Sequence, residues 1–241
     1  ESVDELSDRL EASIDGMQRE LERRKTLIRN LTHELRTPLT TIQGYTENLQ
    51  LALAGMQRER RFCDIILEEC GAMDQLVKEM LELSRLEKGK DVYKKKDLDI
   101  GEVFGNVRRQ TATVFPEADI HIQFDSQTLY ANPLLLERVI TNYLKNAVRY
   151  GEPGGSIWLT GGREDDVYVI AVTNEGCSLT EEDQERIWEA FYKTDKSRKR
   201  SGGYGVGLAI VQEIAHIHKA RVGVRCADGK TTFSFCIPLE K

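Results

Sequence analysis

Asn30-Leu31-Thr32-His33-Glu34-Leu35-Arg36-Thr37-Pro38-Leu39 sets an imidazole, a carboxylate, a hydroxyl and a helix-bending proline in close succession. On a helix His33 and Thr37 share one face about one turn, roughly 6 Å, apart. Pro38 has no N–H to give the carbonyl of Glu34, so a bend is expected within the turn that carries the histidine. A lone histidine on a charged helix face is ordinarily a solvated residue. His33 becomes a candidate nucleophile only through its neighbours.

Working outward, Ile14, Met17, Leu21, Ile28, Leu31, Leu35 and Ile42 keep a spacing of threes and fours, interrupted at Arg24. That spacing marks a helix with one buried seam and leaves His33 on the opposite face. Val3, Leu6, Leu10 and Ile14 shift the frame upstream, as a stutter does. Gly55 and polar neighbours close this helix, and Phe62, Ile66, Met73, Leu76, Met80 and Leu83 resume the pattern. The expectation is a helical hairpin with one seam and no second layer, so two chains are needed to complete a four-helix bundle. A glycine and a charged run, Gly89 to Lys96, then end the helix, and Lys94-Lys95-Lys96 is read as a solvated interdomain linker.

The sequence H-E-L-R-T-P-L resembles the H-box of sensor histidine kinases. That resemblance implies that His33 accepts a phosphoryl group, that Glu34 orients the ring or takes its second proton, and that Thr37 holds a hydrolytic water in a phosphatase reaction. It also implies homodimerisation.

Downstream the pattern changes to mixed strands and helices. Alternation predicts strands over 119–124, 156–160, 167–173, 221–225 and 231–237, and helices over 100–114, 133–150, 180–189 and 206–218. The connection from about Ala190 to Gly205 is long, polar and glycine-bearing, as functional loops often are. On the helix from Pro133, an apolar stripe of Leu136, Val139, Ile140, Leu144, Ala147 and Val148 contrasts with Asn142, Asn146, Arg149 and Tyr150 on another face. Two mid-helix asparagines need a reason, which is either surface exposure or ligand binding. An amide oxygen suits Mg²⁺, a hard ion that keeps several waters and few protein ligands while bridging phosphates.

N-Y-L-K-N-A-V-R-Y resembles the N-box of the same kinases. By that resemblance Asn146 holds Mg²⁺, Asn142 supports the phosphates of ATP, Arg149 pairs with them and Tyr150 packs on the adenine. Asn174-Glu175-Gly176-Cys177-Ser178 stands where the family has D-x-G-x-G, with Asn174 in place of the adenine-reading aspartate and Ser178 in place of the second glycine. An asparagine oxygen still accepts the adenine amino hydrogen, without the charge that strengthens the bond. Trp188, Phe191 and Tyr192 resemble the F-box or are ordinary core residues. Lys193 to Arg200 occupies the family's lid. Gly203, Gly205, Gly207 and Leu208, in G-G-Y-G-V-G-L, match the G2-box, and they open a helix whose free N–H groups and dipole favour phosphate oxygens.

Together these boxes imply an α+β chain of three parts: a signalling lead-in over 1–24, a dimerisation and histidine phosphotransfer hairpin over 25–88, and an α/β sandwich of the gyrase and chaperone ATPase type over 89–241. The implied function is ATP-dependent phosphorylation of His33 and transfer to an aspartate of a response regulator. An ATP hydrolase and a weakly catalytic dimeric scaffold are the alternatives. Walker-type G-x-x-x-x-G-K and the H-R-D and D-F-G signatures are missing, which excludes those mechanisms.

Composition sets outer bounds. With 241 residues the chain can bury a sizeable core. Forty acidic against 34 basic residues, a net charge of -6, argue against non-specific nucleic-acid binding. Five cysteines without metal-type spacing suit reduced thiols in a cytoplasmic compartment. Cys63 and Cys70 lie two helical turns, about 10 Å, apart, too far for a disulfide within one helix. No apolar run is long enough to span a bilayer. The chain opens at Glu1 rather than a methionine, so a cytoplasmic fragment is expected, preceded by a membrane-bound sensor region.

Overall fold

A computed structural model describes residues 35–36, 39–53, 56–88, 93–194 and 204–239. The chain divides into two units, Glu1–Arg85 and Leu86–Lys241.

In the first unit α1 covers residues 39–52 and α2 covers Gln57–Lys88. Between them the Met56 N–H bonds the Leu53 carbonyl at 3.0 Å, reversing the chain. Gln50 donates to Asp64 at 2.6 Å and Arg36 lies 4.0 Å from Asp74, an antiparallel pairing. Buried along α2 are Cys63, Cys70, Val77 and Ser84, at seven-residue intervals, and Leu86 near its end, with Leu39 and Thr46 buried on α1. Small side chains along such a line let two helices approach closely. The expected seam positions Phe62, Ile66 and Met73, at 55%, 42% and 40%, and Leu35 and Ile42, at 44% and 48%, lie beside that line and stay exposed in the single chain. His33, Glu34, Thr37, the bend at Pro38 and the upstream stutter lie outside the described residues.

The second unit starts from well-marked helix ends. α3, Ile100–Val114, is capped by Asp99, whose carboxylate accepts the Gly101 N–H at 2.9 Å. Asn132 caps α4, Pro133–Tyr150, by accepting from the Leu135 N–H, and Pro133 opens the helix where its missing N–H costs nothing. α5 is Glu181–Arg186 and α6 is Gly207–His218. Strands β2 (Ile120–Phe124), β4 (Ile157–Glu164), β5 (Val167–Glu175), β6 (Arg221–Ala227) and β7 (Lys230–Pro238) form a sheet in the order β2-β4-β5-β7-β6. Only β2 and β4 are parallel.

Alternate residues Leu159, Ile170, Val172, Phe233 and Phe235 are buried, and α3, α4 and α6 pack against the sheet with α4 touching both others. This is the α/β sandwich expected. Along α4 the apolar stripe is buried except for Val148, which is 42% exposed near the helix end.

Two features differ from the sequence reading. Strands β1 (Lys96–Asp99) and β3 (Thr128–Ala131) pair antiparallel as a separate small sheet, with Leu98 opposite Leu129 and both buried. The basic run is thus structural: the Lys95 ammonium donates to the Ile217 carbonyl at 3.3 Å, and the Lys94 carbonyl accepts from Asn132. The thiol expectation is also corrected. Cys177 and Cys226 are joined in a disulfide across 49 residues, whereas Cys63, Cys70 and Cys236 are free. Neighbourhood in the sheet, invisible in sequence spacing, brings that pair together.

Candidate functional site

Asn142 lies in the middle of α4, only 5% exposed, and its amide nitrogen has no hydrogen-bond partner among the described residues. Burial removes the surface explanation for this asparagine. An unpaired buried donor costs roughly 1–3 kcal/mol unless something binds there. Its oxygen is 3.3 Å from where a Cβ on Gly207 would stand, so the side chain rests against the first turn of α6. A Cβ at that position would crowd the amide, which would have to give by a few tenths of an ångström. Val206 gives α6 no side-chain cap, so among the described residues the cap position supplies no side-chain acceptor to its first N–H groups.

Donors without acceptors therefore converge at this point, which is the chemistry that phosphate oxygens complete. Asn146, one turn further along α4, is half-buried; Arg149 is exposed and Tyr150 half-buried. Leu208 is half-buried beside Gly207 in the opening turn. Among the described residues no group of three or more His, Cys, Asp or Glu could hold a metal ion. The donor set is a neutral carboxamide, which fits an ion that keeps its waters and binds mainly through a ligand's phosphates.

The entrance to α6 is shaped by backbone. Gly205 has φ +75°, and a Cβ there would come within 2.6 Å of the Tyr192 carbonyl oxygen. Phe191, itself at φ +69°, donates its N–H to the Gly205 carbonyl at 2.9 Å. A clasp thus joins the segment of Phe191 and Tyr192 to the glycines that lead into α6. Gly203 and residues 195–200 of the basic loop lie outside the described residues.

Asn174 ends the buried row of β5 at 4% exposure. Its nitrogen donates to the Glu175 carbonyl at 2.7 Å, which leaves the oxygen as the atom to accept from a ligand. Gly151, at the end of α4, would place a Cβ 3.3 Å from that nitrogen, so α4 and β5 meet here. Gly176 adopts φ +98°; its N–H bonds the Gly229 carbonyl at 2.8 Å and its carbonyl accepts the Thr231 hydroxyl at 2.6 Å.

Two clefts flank these residues. One of about 350 Å³ includes Asn174, Gly151 and Ala147, and another of about 690 Å³ includes Tyr192 and Lys193. Neither of these two is lined by Asn142 or Asn146.

Sequence reasoning missed a network beside the loop. Thr180 and Asp183 form a reciprocal capping box on α5, and the Tyr192 hydroxyl donates to Asp183 at 2.9 Å. Burial pushes the Asp183 carboxyl up, but the Thr180 and Tyr192 hydrogen bonds and Arg186 outweigh it and hold it low. Arg186 also lies over the Tyr192 ring, 4.5 Å from its centroid. The T-x-x-D spacing was the available signal. Trp188 is half-buried, edge-on to Phe233 at 6.2 Å.

Residues 131–241 match the family described as "Histidine kinase-, DNA gyrase B-, and HSP90-like ATPase", and residues 23–89 match "His Kinase A (phospho-acceptor) domain". The sensor histidine kinase YclK of Bacillus subtilis is 31% identical over 240 residues, covering 97% of this chain and 50% of the relative. The sensor-like histidine kinase SenX3 of Mycobacterium tuberculosis H37Rv is 30% identical over 220 residues, covering 89% and 54%. The chain spans about half the length of these curated relatives.

Full-length ShkA, solved in complex with AMPPNP, aligns with a TM-score of 0.70 at 26% identity, over 89% of this chain and 46% of that one. The Acinetobacter baumannii histidine kinase AdeS gives 0.62 at 21% identity, over 87% and 98%, a likeness of fold. A phospho-acceptor match followed by an ATPase match, with relatives that align through both, places the chain in the histidine kinase family of two-component systems.

Proposed function

We propose that this chain transfers the γ-phosphoryl group of ATP to His33 and then to an aspartate of a response regulator receiver domain. The observation that supports it best is the unpartnered Asn142 amide beside the uncapped start of α6, a set of donors prepared for phosphate oxygens. In this reading Asn142 and the N–H groups at Gly205, Gly207 and Leu208, with Gly203 before them, hold the phosphates, and Arg149 pairs with them. Asn174 and Gly176 contact the adenine edge, and Tyr150 packs on its face. Asn146 is the protein ligand of Mg²⁺, which when bound offsets phosphate charge.

His33 attacks in line through one neutral ring nitrogen, and Glu34 orients the ring or takes its second proton. Positioning and charge neutralisation then carry most of the catalysis, since phosphoryl transfer asks little covalent help of a protein. Thr37 holds the water that hydrolyses the regulator's aspartyl phosphate in a separate phosphatase reaction.

The functional parts are 1–24 as lead-in, 25–88 as phospho-acceptor hairpin and 89–241 as ATP-binding domain. The hairpin acts as a homodimer. Phe62, Ile65, Ile66 and Met73 form an exposed apolar line beside the hairpin's own seam, and a second copy would bury it. The chain acts as the cytoplasmic portion of a membrane sensor, a reading supported by its half-length coverage of sensor kinases.

Incubation with γ-labelled ATP should give acid-labile, alkali-stable label on the wild type and none on His33→Gln, with ATP binding intact in both. Label that persists on the variant removes His33 from its role. Phosphate release without protein label would favour the hydrolase, and no turnover at all the scaffold.

A further inference from the structure

We propose that Cys177 and Cys226 are a reversible thiol–disulfide pair that braces the adenine end of the site, so that oxidation tightens nucleotide binding and reduction loosens it. The proposal rests on the reading of Asn174 and Gly176 as nucleotide contacts.

Cys177 directly follows Gly176 at the end of β5, and Cys226 lies near the end of β6, beside the turn that carries Gly229. Their Cα atoms are 5.3 Å apart, well within the range a disulfide spans. The same segment is already tied to that hairpin by the Gly176 N–H to Gly229 and by the Thr231 hydroxyl to Gly176. Reduction leaves both bonds and the β5–β7 register, with Asn174 opposite Thr231, in place. It frees Cys177 and the short stretch leading to Thr180, the cap of α5, and leaves Gly176, the residue before Cys177, held by its two hydrogen bonds alone. The disulfide is thus a removable third tether on a segment that holds the base-reading residues, and fixing such a segment before binding lowers the ordering cost of the complex.

Accessibility singles out this pair. Cys177 is exposed and Cys226 half-buried, whereas Cys63 and Cys70 are buried. Burial also pushes the Cys236 thiol up and keeps it a poor nucleophile. The oxidant is a low-molecular-weight disulfide. The Cys177 thiolate attacks it to give a mixed disulfide and one free thiol; the Cys226 thiolate then attacks Cys177 sulfur and releases the second, so two protein thiols and one disulfide become one protein disulfide and two small thiols. In a reducing compartment a bond of this kind is ordinarily transient and regulatory.

The test uses the full chain, oxidised with glutathione disulfide or reduced with dithiothreitol, with the bond mapped by peptide mass. Calorimetric titration with Mg·ATP should show binding about three- to tenfold tighter in the oxidised protein. Cys226→Ser and, separately, Cys177→Ser should bind like the reduced wild type under both treatments. Equal affinities with the bond mapped, tighter binding on reduction, or failure of glutathione disulfide to form the bond overturns the proposal. Asn174→Ala separates the two readings: if it weakens ATP binding while redox state does not matter, the brace alone fails. If neither changes the affinity, the assignment of the adenine end fails with it.

Discussion

Replacing Asn142 with leucine should make the protein more stable and less able to bind ATP. The amide nitrogen is buried, 5% of the residue being exposed, and lacks a partner among the described residues. Leucine keeps the branch at Cγ, though with bulkier ends, removes a desolvated donor worth about 1–3 kcal/mol and gains about 0.5 kcal/mol of helix propensity in mid-α4. Imperfect fit against Gly207 offsets part of this. A net gain of about 1–2 kcal/mol would raise the unfolding midpoint of the second unit by roughly 2–8 °C. On the binding side, a hydrogen bond to a charged phosphate is worth about 1.5–3 kcal/mol, so ATP affinity should fall roughly ten- to a hundredfold. Thermal unfolding without nucleotide and calorimetric titration with Mg·ATP read the two effects separately. A variant that loses stability and binds ATP as the wild type does would show that the amide has a structural partner and no role toward phosphate.

Gly205→Ala should destabilise the second unit by about 1–3 kcal/mol, because its Cβ would meet the Tyr192 carbonyl and its φ is positive; an unchanged denaturation midpoint would refute the clasp. Asn174→Asp loses the bond to the Glu175 carbonyl and should lower stability. At a pH where the new carboxyl is ionised it should still bind ATP about fivefold tighter through a charge-assisted bond worth about 1 kcal/mol more, and no gain over GTP in titration would remove Asn174 from base reading. His218 accepts the Asn132 N–H on one ring nitrogen and bonds the Ile214 carbonyl with the other. Burial lowers its pKa, against the Ile214 bond, and Lys95 pushes the same way as burial. The unfolded chain therefore binds this proton first, so stability should fall as pH drops below about 6.5 toward the lowered value, and urea unfolding of His218→Gln should lack that component.

Legibility in the sequence followed the range of the interactions. α3 and α4 begin and end where the sequence reading put them, because Asp99 and Asn132-Pro133 are local signals that need no tertiary partner. The long strands were found by alternation but run further than expected: β4 continues to Glu164, with Gly161 and Gly162 inside it, because its ladder with β5 carries glycines that alternation cannot register. β1 and β3 were missed, since four residues hold too few alternations to stand out. In the site, the asparagine spacing was visible, yet the depth of Asn142 was not. Gly207, against which its amide rests, is far away in sequence. The same reason hid Cys177 and Cys226, which meet only through the sheet.

The Phe191–Gly205 clasp separates the length of a connection from the stability of what it connects. Once the two ends are held by a backbone bond and a close glycine contact, doubling the number of residues between them adds only about 0.6 kcal/mol of closure entropy. Insertions or deletions between Tyr192 and Tyr204 are therefore nearly neutral for folding, and the chemistry of that segment can diverge without disturbing α6 or the sheet. Natural variation and grafting experiments alike have a ready-made port at this position.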